Sequence, residues 1–325
     1  MFDNLFNLIS KITNVTPTYN KDLCIAAKQS SAACRVCKDI CPHEAITLKR
    51  FVEIDDIDCT GCGLCVQSCP SQALESKVSY QSGAPVKCSQ VKGSAQSVQC
   101  LTRLSASDLI RLASNKNKVT LVRNDCSNCK IGSPDIPQAL DKTITKAKAL
   151  ADFRQRDIDF QVVVAEKYDS TDNPDKISRR DLLRGGLRGL QHTAADALAP
   201  LDIGDDKDLS LPKEMQRQLA LIKAAQPQPE QAVPWILPHI KEGCIMCPVC
   251  TNVCPTKAFT RDFSDKNQTK LLLEPDHCNG CNACVKACPV KVISLKDEVS
   301  WAELSGGKHA VYIKDNQLPQ GGVSR

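Results

Sequence analysis

The sequence predicts two small α+β modules that flank a small α/β domain with a parallel sheet. A run of eight cysteines between residues 244 and 288 recurs, in a related form, between residues 24 and 69. Strand and helix patterns alternate between these two segments, as is typical of a parallel sheet. The expected organisation is an amphipathic N-terminal helix (1–22), a first module (23–80), an α/β cysteine domain (84–168), a linker with short helices (169–234), a second module (235–300) and a C-terminal tail (301–325).

The second module carries the pattern C-x2-C-x2-C-x3-C-P twice, beginning at Cys244 and at Cys278. The pattern favours iron–sulfur ligation over zinc, because zinc needs only two separated pairs of ligands and explains neither the third cysteine nor the proline. In the bacterial two-cluster pattern, three cysteines of one run and the fourth of the other hold one [4Fe–4S] cluster. The predicted ligand sets are Cys244, Cys247, Cys250 with Cys288, and Cys278, Cys281, Cys284 with Cys254.

The first module repeats this pattern with one departure. The run from Cys59 to Pro70 aligns without gaps to the run from Cys278 to Pro289, and it predicts a cluster on Cys59, Cys62, Cys65 and Cys41. In the upstream run the position of the first cysteine is occupied by Ser31, and Cys24 lies seven residues earlier. Either Cys24 completes a site with Cys34, Cys37 and Cys69, or three cysteines hold a [3Fe–4S] cluster, or Ser31 ligates through oxygen. We favour Cys24, because a free thiol beside a cluster invites oxidation.

Short strand candidates flank the cysteine runs of both modules. Residues 24–75 and 240–296 resemble bacterial-type two-[4Fe–4S] ferredoxins, and the resemblance implies α+β ferredoxin-like modules with two cubane clusters each. The predicted strands are Ala45–Leu48, Phe51–Ile54, Ala258–Thr260, Lys270–Glu274 and Val292–Leu295.

Between the modules, cysteines follow strand candidates. Val86–Cys88 and Val119–Val122 are apolar, a helix is expected from about 137 to 153, and another strand covers residues 160–165. The carboxyl ends of parallel strands form the edge where ligands bind. We therefore expect four cysteines to converge there: Cys88, Cys100, Cys126 and Cys129.

This middle region resembles the delta-subunit domain of methyl-viologen-reducing hydrogenase. The shared features are Cys88 after a strand, the stretch V98-Q-C-L-T-R-L104 before a helix, and the pair Cys126 and Cys129 after a strand. The resemblance implies a [2Fe–2S] centre at the four cysteines. A structural zinc site, a redox dithiol and free thiols are the alternatives.

The ends and the linker carry no targeting or membrane signal of the usual kind. The N-terminal residues form an amphipathic pattern with Asp3 near the start, unlike a signal peptide, and no run of 18 apolar residues predicts a transmembrane helix. With 20 cysteines, metal ligation in a reducing cytoplasm is expected rather than disulfide bonds. A basic helix is expected near residues 178–190; it and the N-terminal helix are candidate docking faces.

These observations predict an iron–sulfur electron-transfer protein, a polyferredoxin. Sixteen cysteines in the modules and four between them account for all 20. No dinucleotide motif, P-loop or Cys–His pair predicts a catalytic centre, and no basic run with aromatics predicts nucleic-acid binding. The formal charge of +5 would fall to about −3 with four clusters bound, since each carries roughly −2.

Electrons are therefore expected to pass between a donor and an acceptor redox protein, with this chain as a non-catalytic subunit of a cytoplasmic oxidoreductase complex. The alternative is a thiol–disulfide or metal- and cluster-handling protein in which the middle cysteines carry the chemistry.

Overall fold

The structure, a computed structural model, describes residues 15–113, 117–169 and 211–316. The first module is built from short elements, because its loops wrap cysteines rather than an extended apolar core. Strand β1 pairs antiparallel with β4, which joins the two ends of the module, and β2 pairs antiparallel with β3. The elements are β1 (Thr18–Tyr19), α1 (Ile25–Lys28), α2 (Val36–Asp39), β2 (Ile46–Leu48), β3 (Val52–Ile54), α3 (Leu64–Ser68) and β4 (Leu74–Glu75).

The middle domain contains the predicted parallel sheet. Its four strands lie in the order β6-β5-β7-β8, and every pair is parallel. Helix α5 has a buried face that begins at Ile136, and its first turn contains a proline, whose missing N–H costs nothing there. The elements are β5 (Val86–Cys88), β6 (Gln96–Val98), α4 (Ala106–Ala113), β7 (Lys118–Arg123), α5 (Ile136–Phe153) and β8 (Asp159–Val164).

Helix α6 (Lys213–Ala224) packs against α4 and α5, although the sequence places it in a linker. Met215 and Ile222 on its inner face are almost fully buried. They belong to one apolar cluster that runs from the parallel sheet through α6 into the second module. The helix therefore joins the middle domain to the second module.

The second module pairs its two ends as the first does, through the antiparallel strands β10 and β13. Strand β12 pairs antiparallel with β11 on one side and with β15 on the other, and β9 pairs with β14. The elements are β9 (Ala232–Val233), β10 (Leu237–Ile240), α7 (Val249–Val253), β11 (Phe259–Asp262), β12 (Gln268–Leu273), α8 (Ala283–Ala287), β13 (Ile293–Lys296), β14 (Val299–Ser300), α9 (Trp301–Ser305) and β15 (His309–Asp315).

Two expectations at the chain ends need correction. Residues 15–22 do not extend the expected N-terminal helix: Pro17 precedes strand β1, and Thr18 Oγ1 donates a hydrogen bond to the Glu75 carbonyl at 3.3 Å. Residues 301–315 are not a tail, because α9 packs against the turn Pro275–His277 and β15 pairs with the free edge of β12. The rest of the expected N-terminal helix and the expected helix near 178–190 lie outside the described residues.

The described parts of the chain contain no helix that combines the length and the hydrophobicity needed to cross a bilayer.

Candidate metal centres

The loop from Cys59 to Cys65 forms one cysteine-lined cavity in the first module. The cavity measures about 350 Å³. Two glycines with positive φ, Gly61 (71°) and Gly63 (81°), turn the backbone around it. Burial raises the pKa of Cys62 to about 11. The cysteines that line the cavity are Cys41, Cys59, Cys62 and Cys65.

The second module forms the corresponding cavity, with a volume of about 320 Å³. Gly280, with φ of 65°, occupies the position of Gly61. Asn282 takes the left-handed conformation that Gly63 takes in the first module, a conformation that asparagine tolerates well. The lining cysteines are Cys254, Cys278, Cys281 and Cys284.

Cys24 and Ser31, the two candidates for the fourth ligand of the first module, differ in burial. Cys24 is 7% exposed and shares an apolar cluster with Cys37, whereas Ser31 is exposed on a turn. Burial raises the pKa of Cys37 to about 12, and nearby thiols contribute to the rise. The contributing thiols are those of Cys69, Cys34 and Cys24.

In the matching site of the second module, Cys250 has the thiols of Cys244 and Cys247 as neighbours. Burial, followed by these two thiols, raises the pKa of Cys250 to about 11. Cys288 is buried in the same apolar cluster as Cys250.

A third cavity of about 350 Å³ lies at the carboxyl edge of the parallel sheet. Cys88 ends β5, Cys100 follows β6, and the last two cysteines follow β7. All four middle cysteines line the cavity: Cys88, Cys100, Cys126 and Cys129.

Backbone and side-chain donors point at several of the sulfur atoms. Ala73 N donates to Cys69 Sγ, and Ala258 N donates to Cys254 Sγ, both at 3.3 Å. Such hydrogen bonds favour the thiolate and help to set the potential of a bound cluster. Sets of four buried or half-buried cysteines with N–H donors match the ligands that iron–sulfur clusters require. The residues present therefore fit the clusters that the sequence predicts.

Neighbouring sites also contact one another. Cys62 and Cys100 share an apolar cluster with Ile136, and Thr102 Oγ1 contacts both the Cys62 carbonyl and, at 3.3 Å, Cys100 Sγ. Between the modules, Asn279 Nδ2 donates to the Ser71 carbonyl at 3.0 Å. The thiol of Cys69 lies close enough to Cys281 to contribute, after burial and Cys254, to its raised pKa of about 11.

Sequence reasoning assigned no role to Thr102 or Arg103, although both lie in the stretch that carries the hydrogenase resemblance. Arg103 is buried, and its guanidinium donates to the carbonyls of Gly61 (3.2 Å) and Lys77 (3.1 Å). The signal available in the sequence was an arginine three positions after Cys100. Its reach across 42 positions to Gly61 could not be read from the sequence.

The comparison with protein families decides the nature of both ends. A 4Fe–4S dicluster domain model matches residues 32–73 and 243–298. Both ends of the chain are 4Fe–4S dicluster domains. The two matches cover the cysteines from Cys34 to Cys69 and from Cys244 to Cys288, and they leave Cys24 and the four middle cysteines outside.

Curated relatives match the chain over short segments. The chain is 38% identical to the ferredoxin-type protein NapF of Haemophilus influenzae over 53 residues (16% of this chain, 30% of the relative). It is 39% identical to one subunit of the ion-translocating oxidoreductase complex of Methanosarcina acetivorans over 56 residues (17% and 21%). It is 32% identical to the polyferredoxin protein MvhB of Methanothermobacter marburgensis over 62 residues (17% and 15%).

The chain thus spans less than a third of the length of each of these three relatives. No solved structure matches it. The protein is an iron–sulfur protein of the ferredoxin type, related to polyferredoxins and to oxidoreductase subunits.

Proposed function

We propose that this protein relays single electrons at low potential through four [4Fe–4S] clusters, from one partner redox protein to another, as a subunit of an oxidoreductase complex. The observation that carries the proposal is the contact between successive cysteine sites. When bound, each cluster accepts and releases one electron. The electron that a reduced donor protein loses is gained by an oxidised acceptor protein.

The proposed ligands follow the crossed pattern of the sequence. Burial and the exposure of Ser31 favour Cys24 as the fourth ligand of its site. The four sets are Cys24, Cys34, Cys37 and Cys69; Cys41, Cys59, Cys62 and Cys65; Cys254, Cys278, Cys281 and Cys284; and Cys244, Cys247, Cys250 and Cys288.

The order of the sites along the molecule follows from their contacts. Cys250 contributes to the raised pKa of Cys284, after burial and closer thiols, so the two sites of the second module are neighbours. Asn279, in the Cys278–Cys281 loop, donates to the Ser71 carbonyl, and the Cys69 thiol contributes to the raised pKa of Cys281, which supports a connection between the modules at this point. Cys37 contributes in the same way to the raised pKa of Cys65, so the two sites of the first module are neighbours.

The chain's own groups shape this path. Buried cysteines keep water away from the sites, and the amides of Ala73 and Ala258 point at ligand sulfurs. A low dielectric and N–H donors are the means by which a protein sets cluster potential. The related oxidoreductase subunit and polyferredoxin support a place in a larger assembly.

The test is an anaerobic reductive titration of the purified full chain. We expect the visible absorption of the clusters to bleach as about one electron per [4Fe–4S] cluster is taken up, and to return with an added one-electron acceptor. Protein that contains iron but shows no reversible uptake of electrons would refute the relay.

A further inference from the structure

The four middle cysteines are too far apart for a zinc site. In a tetrahedral zinc site with Zn–S bonds of 2.3 Å, the sulfur atoms lie about 3.8 Å from one another. Among the residues that the structure describes, the one group of three or more potential metal ligands within 4.8 Å of one another is Glu274, Asp276 and His277. No three of the middle sulfur atoms therefore meet the spacing of zinc.

The cavity between these cysteines has the size of the cluster cavities in the modules. Its volume of about 350 Å³ equals that of the Cys41–Cys65 cavity and slightly exceeds the 320 Å³ of the cavity in the second module. Both module cavities lie in dicluster domains. The middle cysteines therefore surround as much space as the cysteines of the two cavities that lie in four-iron dicluster domains.

The surroundings also disfavour a dithiol that reacts with other proteins. Cys88, Cys100 and Cys126 are each only 7–8% exposed. A thiol that exchanges disulfides must be reached by its partner. Here Ile131 and Ile136 cover the cavity together with Gln99.

We propose that Cys88, Cys100, Cys126 and Cys129 bind a fifth [4Fe–4S] cluster at the carboxyl edge of the parallel sheet. This replaces the [2Fe–2S] centre that the hydrogenase resemblance implies. The site touches the first module closely: Thr60 Oγ1 donates to the Ile131 carbonyl at 2.6 Å, and Gln99 Nε2 donates to the Thr60 carbonyl at 3.0 Å.

The fifth site therefore extends the series of sites at its first-module end. That role in electron transfer rests on the proposed function, whereas the presence of the cluster does not. The two ideas can fail separately, because one is tested by composition and the other by electron uptake.

The deciding experiment is native mass spectrometry of the anaerobically purified full chain, with iron, sulfide and zinc measured on the same sample. We expect about 20 irons and 20 sulfides per chain and no zinc. About 18 irons would show a two-iron cluster, and about 16 irons, with or without one zinc, would show no fifth cluster; each of these results would overturn the proposal.

The variant Cys126→Ser combined with Cys129→Ser assigns the extra irons. We expect it to lose four irons and four sulfides while the other clusters remain. Ser127→Ala is the matched control, because Ser127 lies between the two cysteines and bonds only to Asp125 of the same loop. A double variant that keeps all of the iron would place the fifth cluster elsewhere and contradict the assignment.

Discussion

Arg103 places a buried positive charge among the cysteines of two sites. Thiolates at Cys59 and Cys100 favour the charged guanidinium, whereas burial, the larger effect, lowers its pKa. Arginine keeps its charge in such surroundings because its ordinary pKa is above 12. A fixed positive charge stabilises the reduced, more negative state of a nearby cluster.

We therefore expect Arg103→Gln to lower the reduction potential of the cluster on the Cys59–Cys65 loop by tens of millivolts. The variant Arg103→Lys distinguishes the effect of the charge from that of the hydrogen bonds, since lysine keeps the positive charge but cannot bond to the carbonyls of both Gly61 and Lys77. A redox titration followed by electron paramagnetic resonance measures both variants. Equal potentials in the wild type and the glutamine variant would show that the charge has no influence.

Gly61 and Gly280 occupy the same position of the repeated motif but face different surroundings. A Cβ at Gly61 would lie 2.5 Å from the Val15 side chain, whereas one at Gly280 would lie 3.4 Å from Ile236. Both substitutions by alanine meet the cost of positive φ, about 1–2 kcal/mol. We expect Gly61→Ala to lower the free energy of unfolding by roughly 1–3 kcal/mol more than Gly280→Ala does, because the added Cβ also crowds the Val15 side chain. Urea unfolding of the cluster-loaded protein compares the two, and equal losses would contradict this.

Helix α6 is held against the middle domain by a carboxylate whose titration affects stability. Glu214 accepts a hydrogen bond from Ser107 N at 3.1 Å and another from the Ser107 hydroxyl. Burial, followed by the nearby charge of Asp108, raises the pKa of Glu214 above its ordinary value of 4.5. Because the pKa of Glu214 is higher in the folded state, the folded state favours the protonated carboxyl. This contribution to stability is fully present below the pKa of the unfolded chain and is lost as the pH rises through the pKa of the folded state.

Glu214→Gln keeps the shape and removes this dependence. We expect the variant to gain stability over the wild type as the pH rises above about 4.5, with no gain below that value. The measurement is hydrogen exchange of the α6 amides at several pH values, corrected for the intrinsic rate. A difference that is independent of pH would contradict the expectation.

Helix α1 lies between Cys24 and Ser31, the position at which the motif lacks its first cysteine. It starts directly after Cys24, so one turn of helix carries the chain away from the buried thiol. We expect Cys24→Ala to remove one iron or the whole cluster from its site, because three ligands hold a cube poorly, and Ser31→Ala to leave the iron content unchanged. Iron analysis of both variants settles the ligand, and loss of iron from the serine variant alone would reverse the assignment.

For the helices and strands, the sequence predicts those elements that show a regular local pattern of apolar residues. Helix α5 and strands β7 and β8 carry regular apolar spacing, and the parallel sheet that they predict is present. Strands β1 and β4 have two residues each, too few for a period, and they pair across more than fifty positions. The pairing of β15 with β12 is equally non-local, and for this reason residues 301–315 looked like a tail.

The candidate sites also have some features that local sequence predicts and others that it does not. The cysteine spacing predicts that Cys41 joins the Cys59–Cys65 loop and that Cys254 joins the Cys278–Cys284 loop, and these cysteines line common cavities. Whether the two modules touch could not be read from the sequence. The contact includes Ile25 of the first module, which is buried against Val253 and Ala283 of the second.

At the scale of the whole molecule, this apolar contact controls the distance between the modules. We expect Ile25→Glu to separate them, because a carboxylate cannot be buried there without a partner. Small-angle X-ray scattering should show a larger radius of gyration, and the magnetic coupling between clusters of different modules should weaken.

Ile57→Glu is the control, since Ile57 is 94% exposed. It adds the same charge to the same module without touching the contact. Identical scattering from both variants would show that other contacts suffice to hold the modules together.

Cys24 and Ile25 are consecutive residues, one turned toward a cysteine site and the other toward the second module. Under the proposed ligation, insertion of iron beside Cys24 would also position Ile25, the side chain that packs against the second module. If Cys24 is the ligand proposed above, we expect a chain without the cluster near Cys24 to hold Ile25 poorly in place and to leave the apolar contact with Val253 and Ala283 open. The apolar surface around Ile25 would then be exposed only in the chain without the cluster, and chaperones and proteases could recognise it there.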